Sequence, residues 1–110
     1  RTMNKVYIVN RGGHDFSDAN RFGELVYLSE GKMDRFSITS LYRNFSSHIE
    51  DSSINDYILI TGLSSMSSIA CSMFSYKHGV LNLLLFKNGK YVERKIILGE
   101  LLTNNEQKKE

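Results

Sequence analysis

The amino-acid sequence predicts an α/β fold, a small single-layer mixed sheet of about five strands with two helices. The evidence lies in the second half of the chain. An apolar run, Tyr57–Ile60, is followed after a polar break by apolar residues at helical spacing over Met66–Phe74. Val80–Phe86 is a second apolar run, and Asn88-Gly89, typical of a type I′ turn, joins it to Tyr91–Ile97. A helix between two apolar strands indicates a parallel pair, so we expect central parallel strands and a C-terminal antiparallel hairpin.

The helix of this unit has a clear apolar face and a clear end. Its apolar residues are Met66, Ile69, Ala70, Met73 and Phe74. Gly79 follows Lys77 and His78 at the position of a C-cap. We expect the apolar face to be mostly buried, together with Ile58, Ile60, Leu83 and Leu85 of the neighbouring strands.

The first half of the chain supplies the remaining elements. Lys5–Val9 and Glu24–Leu28 are short apolar runs that we interpret as strands, separated by a polar loop. A helix is expected to begin between Ser37 and Thr39. Its apolar residues at helical spacing are Ile38, Leu41, Tyr42, Phe45 and Ile49. We therefore predict one α/β domain over residues 3–98, with strands 1, 3 and 4 parallel in the centre, and a polar tail over residues 99–110.

Composition limits the class of protein. The 110 residues carry 14 basic and 12 acidic side chains, a net charge of +2 that favours neither nucleic acid nor acidic partners. Cys71 is the single cysteine, which fits a reducing compartment. We expect neither a signal peptide nor a membrane-spanning segment, because the sequence contains no apolar run of the kind that either requires. We therefore expect a cytoplasmic protein without a membrane partner.

The loop after the first strand is the strongest candidate for a binding site. Gly12-Gly13 allows backbone N–H groups to approach a ligand, and Arg11 could bind a carboxylate or phosphate with two hydrogen bonds. His14 could transfer a proton near neutral pH. The alternative is a tight turn in which Asp15 or Asp18 bonds its own backbone.

The loop after the third strand is the second candidate. Thr61, Gly62, Ser64 and Ser65 lead into a helix N-terminus, which attracts anions. The alternative is that Ser64 or Ser65 simply caps the helix. If strands 1 and 3 are parallel neighbours, both loops meet at one sheet edge. We expect a phosphate-bearing or nucleotide-like anion there, bound without a catalytic apparatus.

This order of elements resembles the small Rossmann-like α/β proteins of phages and archaeal viruses. The resemblance is architectural and covers roughly residues 3–98. Some members of that group bind or cleave signalling nucleotides, and others block host proteins. The resemblance therefore implies either nucleotide binding or inhibition of a host protein by a virus-encoded accessory protein.

Two other functions are weighed beside ligand binding. Phe16 and Phe22, in the long first loop, could anchor a partner such as a host protein, unless both rings fold back onto the sheet. A hydrolase could use His14 as general acid/base with Asp15, Asp18 or Ser64. Complete dinucleotide, P-loop and metal-ligand motifs are absent, so we expect no cofactor and no metal. A homodimer is compatible with the sequence.

Overall fold

The computed structural model describes residues 3–100. The strands within this range are β1 (Lys5–Ile8), β2 (Glu24–Tyr27), β3 (Tyr57–Leu59), β4 (Val80–Lys87) and β5 (Lys90–Ile97). The helices are α1 (Ile38–Glu50), α2 (Ser64–His78) and a short 3₁₀ helix (Ser17–Arg21) between β1 and β2. Each strand agrees with its predicted range to within one residue at either end. The 3₁₀ helix was not predicted, and most of the predicted polar tail lies outside the described residues.

The strands form one sheet in the order β2-β1-β3-β4-β5. β1 pairs in parallel with both β2 and β3, and β3 pairs in parallel with β4. β4 and β5 pair antiparallel from Val80↔Ile97 to Lys87↔Lys90. The predicted mixed sheet, with a parallel centre and an antiparallel hairpin at one edge, is therefore confirmed. β2, which the sequence did not place, lies at the other edge.

The strand order reverses at β1, and this reversal explains why both faces of the sheet are covered. The chain moves from β1 to the β2 edge and then returns past β1 to β3. Because such connections are right-handed, opposite directions place them on opposite faces. α1 and α2 share one face, where Phe45 and Phe74 pack with Ile58. The 3₁₀ helix covers the other face, where Ala19 packs with Leu59.

Two tight turns have the geometry that their sequences predict. α2 ends at Gly79, which has φ 71° and donates its N–H to the Ser75 carbonyl at 2.8 Å. The β4–β5 turn has positive φ at both central residues, 52° at Asn88 and 83° at Gly89. Glycine and asparagine tolerate this left-handed backbone best, which explains their positions here.

The apolar faces of the helices are buried in part. In α1, Leu41, Phe45 and Ile49 are buried, whereas Ile38 and Tyr42 are 47% and 45% exposed. Ile38 is the first residue of the helix and Tyr42 lies at the margin of the apolar stripe. Of the residues expected to be buried in β3, α2 and β4, the fully buried ones are Ile58, Met66, Ala70 and Phe74. The half-buried ones are Ile60, Ile69, Met73, Leu83 and Leu85. None of the three helices within residues 3–100 is long and apolar enough to cross a membrane.

Asp56 ties the amino ends of the central strands together. Its carboxylate accepts the backbone N–H groups of Lys5 at 2.9 Å and Ser53 at 2.8 Å, and the Tyr7 hydroxyl lies at 3.5 Å. Burial and the neighbouring carboxylate both raise the pKa of Tyr7. This network holds β1 against β3 at one end, so the loops at their carboxyl ends start side by side.

Candidate functional site

A crevice of about 450 Å³ opens at the carboxyl ends of β1 and β3. The strand order reverses between these strands, which is where α/β sheets characteristically bind ligands. The crevice is lined by three segments: the loop after β1, the loop after β3 and the β4–β5 hairpin. The lining residues are His14, Asp15, Phe16, Ile60, Thr61, Gly62, Leu85, Phe86 and Tyr91. The volume falls within the range of roughly 300–1,000 Å³ typical of small-molecule sites.

Two aspartates hold the first loop in place. Asp15 accepts the Ser17 N–H at 2.9 Å. Hydrogen bonding by the Ser17 side chain, and then by its backbone, lowers the pKa of the Asp15 carboxyl. Asp18 accepts the Tyr91 N–H at 2.8 Å and the Arg21 Nε–H at 3.4 Å. The hydrogen bond from Tyr91 is the main cause of the lowered pKa of Asp18. The loop after β1 is therefore docked on β5, and the two together form one wall of the crevice.

The aromatic residues of the crevice differ in exposure. Phe16 and Tyr91 are each 6% exposed and belong to the core, whereas Phe86 is 63% exposed. The Phe86 and Tyr91 ring centroids lie 5.1 Å apart at 59°, so the buried ring supports the exposed one. The His14 ring centroid lies 6.1 Å from that of Phe16. The crevice thus combines one open aromatic surface with polar groups from two loops.

The loop after β3 leads into an uncapped helix. Thr61 Oγ1 accepts the Leu63 N–H at 3.2 Å, and Leu63 occupies the N-cap position of α2 without a side-chain hydrogen bond. The alternative that Ser64 or Ser65 caps this helix is therefore wrong. Ser65 instead donates its hydroxyl to the Arg35 carbonyl at 2.8 Å. The first turn of α2 contains no acidic residue, which leaves its partial positive charge uncompensated.

Arg11 lies apart from the crevice. Its Nε forms an ion pair with Glu30 at 2.8 Å, and its guanidinium carbon lies 4.1 Å from the centroid of the Tyr27 ring. Gly12 and Gly13 are exposed, and neither has a positive φ. This segment therefore faces β2, the edge of the sheet away from β3.

The structure separates the residues that the sequence grouped into one pocket. His14, Thr61 and Gly62 line the crevice. Ser64 and Ser65 line another hollow, of about 300 Å³, beside Phe36. Ser64 and Ser65 are separated from the crevice because α2 lies on the opposite face of the sheet from the 3₁₀ helix. The first side chains of α2 face the start of α1.

The predicted interaction residues fold back onto the sheet. Phe16 is buried, and the half-buried Phe22 ring lies 5.5 Å from Tyr57 in an edge-on arrangement. Sequence reasoning missed two exposed aromatic residues, Phe86 in the crevice and Phe36, which is 84% exposed. Phe86 ends a predicted strand next to a turn, and that position is a signal of exposure that could have identified it.

Cys71 and His78, two other potentially reactive side chains, are held by burial or hydrogen bonding. Burial raises the pKa of the Cys71 thiol to about 11, so it is not a ready nucleophile. His78 Nε2 lies 2.8 Å from Ser52 Oγ, which donates its own proton to the Ile49 carbonyl at 2.5 Å. Within residues 3–100, no group of three or more His, Cys, Asp or Glu residues is arranged to hold a metal.

Comparison with known proteins identifies a family. No curated protein and no solved structure matches the chain. The Phage Pam3 gp32-like protein family matches residues 4–98, which include every strand and helix described above. The match thus extends over most of the chain and over the crevice. The chain belongs to the Phage Pam3 gp32-like protein family.

Proposed function

We propose that this protein binds a phosphate-bearing, nucleotide-like small molecule in the crevice between the loops after β1 and β3. The observation that carries the proposal is the crevice itself, which opens where the strand order reverses. Membership of a phage family fits a viral protein, and we infer a phage accessory protein that acts in the reducing cytoplasm of its host.

The groups that line the crevice suit both the flat base and the phosphate of a nucleotide-like ligand. The exposed Phe86 ring offers an apolar surface for a flat group. Elsewhere in the lining, the Thr61 hydroxyl and the Gly62 backbone, which lead into the start of α2, favour negative charge. His14 adds an imidazole N–H donor. We therefore expect a phosphate to lie toward α2 and His14.

Thermal-shift measurements test this proposal. Nucleoside monophosphates, cyclic nucleotides and ribose 5-phosphate are expected to raise the melting temperature, because a ligand that binds only the folded state stabilises it. His14→Ala should reduce the shift. Arg11→Ala is the matched control, because Arg11 is paired with Glu30 outside the crevice and its loss should leave the shift unchanged. If none of these compounds shifts the melting temperature, the proposal is refuted.

A second candidate function, binding of a host protein, is favoured by the exposure of Phe36. Asp34 fixes the backbone around this ring, since its carboxylate accepts the Phe36 N–H and the Ser37 hydroxyl, both at 2.9 Å. The exposed Ile38 and Tyr42 lie nearby on α1. An exposed aromatic side chain on a well-fixed backbone is a typical interface anchor.

A photo-crosslinking experiment tests this second candidate. A benzophenone amino acid at position 36 should crosslink one host protein in infected cells. The same group at position 76 is the control, because Tyr76 is 94% exposed on α2. Equal crosslinking at both positions would argue against a specific interface. A hydrolase that uses His14 and a homodimer remain predictions from the sequence.

A further inference from the structure

The polar edge of the crevice contains an acidic residue, which matters for the kind of base that a nucleotide could carry. Asp15 lines the crevice and is exposed, and the Ser17 contacts that lower its pKa keep it charged at neutral pH. Neither of the ion pairs within residues 3–100 involves Asp15. A charged carboxylate is only a hydrogen-bond acceptor, with room for several donors besides the Ser17 N–H.

The aromatic side of the crevice presents one face for stacking. Phe86 is exposed at the end of β4, and its inner side packs on Tyr91, which Asp18 holds through the backbone. Base-on-aromatic stacking favours a flat ring but does not distinguish one base from another. Selection among bases must therefore come from the polar edge.

We propose that the crevice selects a guanine-type base, stacked on Phe86 with its N–H edge directed at Asp15. This inference rests on the proposed function and names its ligand class. Guanine presents two adjacent donors, the ring N1–H and the exocyclic amine, which a carboxylate can accept together. Adenine presents an acceptor nitrogen beside its amine, which places a lone pair against the carboxylate. Hypoxanthine offers the N1–H alone.

Isothermal titration with GMP, IMP, AMP and ribose 5-phosphate tests the inference. GMP should bind most tightly and IMP less so, and AMP should bind about tenfold more weakly than GMP, as expected for one paired base contact. In Asp15→Asn the preference for GMP over AMP should disappear, because the amide offers a donor in place of an acceptor. Asp34→Asn is the control, since Asp34 is an exposed loop aspartate that does not line the crevice.

Phe86→Ala provides a second readout. It should weaken all three nucleotides about tenfold through loss of stacking and leave ribose 5-phosphate unaffected. Equal affinity of wild type for GMP and AMP, or a GMP preference that survives Asp15→Asn, would overturn the guanine assignment while leaving the proposed function intact. Failure of every compound to bind, ribose 5-phosphate included, would refute the proposed function and the guanine assignment together.

Discussion

Asp18 joins parts of the chain that lie 73 residues apart. Its carboxylate links the 3₁₀ helix to β5 through the Tyr91 N–H. The Arg21 side chain reinforces this joint, because it donates to the Tyr91 carbonyl as well as to Asp18. The Tyr91 N–H, and to a lesser degree the Arg21 side chain, stabilise the charged form of Asp18. At the scale of single residues, a surface carboxylate therefore positions one wall of the crevice.

Asp18→Asn should lower the melting temperature at pH 7, because an amide accepts the Tyr91 N–H less strongly than a carboxylate does. The folded-state pKa of Asp18 lies below its unfolded value, so its contribution is present above about pH 4 and is lost as the pH falls. Thermal unfolding at pH 7 and pH 3 should therefore show a larger difference from wild type at pH 7 than at pH 3. Asp51→Asn, at the exposed end of α1, is the control. An equal difference at both pH values would contradict the prediction.

At the scale of elements, α2 is held mainly by its buried face. Phe74 is fully buried in the cluster between the helices and the sheet. Phe74→Ala should decrease the free energy of unfolding by about 3–5 kcal/mol, through lost burial and the cavity left behind. Tyr76→Ala, two residues away but 94% exposed, should change it by less than about 0.5 kcal/mol. Urea denaturation of both variants measures these changes. Similar losses of unfolding free energy in the two variants would contradict the placement of Phe74 inside and Tyr76 outside the core.

The end of α2 depends on backbone conformation. Gly79 has φ 71° with open space around it, so an added methyl group meets no neighbour and the cost is conformational. Gly79→Ala should therefore decrease the free energy of unfolding by roughly 1–2 kcal/mol. Gly13→Ala, where φ is not positive and space is also open, should be close to neutral. A neutral Gly79→Ala in urea denaturation would mean that this turn does not adopt the left-handed conformation.

At the scale of the whole molecule, stability should fall toward acid pH in two steps. Burial lowers the pKa of His78, so the fold favours its neutral form. This contribution is complete above about pH 6.5 and is lost as the pH drops through the folded-state value. The lowered pKa values of Asp15, Asp18 and Asp34 produce the second step, below about pH 4.

His78→Gln should remove the upper step in a plot of melting temperature against pH and leave the lower one. His48→Gln is the matched control, since His48 is a half-buried histidine on the other helix. If the upper step persists in His78→Gln, another group must titrate there.

The sequence alone determined the five strands, the two α-helices, the parallel centre and the C-terminal hairpin, but neither the 3₁₀ helix nor the place of β2. Apolar runs, helical spacing and turn residues such as Gly79 and Asn88-Gly89 act over a few positions, and the structure follows them closely. These local signals also explain why the parallel centre and the C-terminal hairpin could be predicted.

Tertiary structure alone decided which side chains share a site. The reversal at β1 places the first loop and α2 on opposite faces, so His14 and Thr61 meet in the crevice while Ser64 turns toward α1. Arg11 lies outside the crevice because it forms an ion pair with Glu30, which belongs to the segment after β2. Phe86 enters the crevice because β4 lies next to β3. Such contacts join residues that are distant along the chain, and they depend on strand order and packing, which no local pattern encodes.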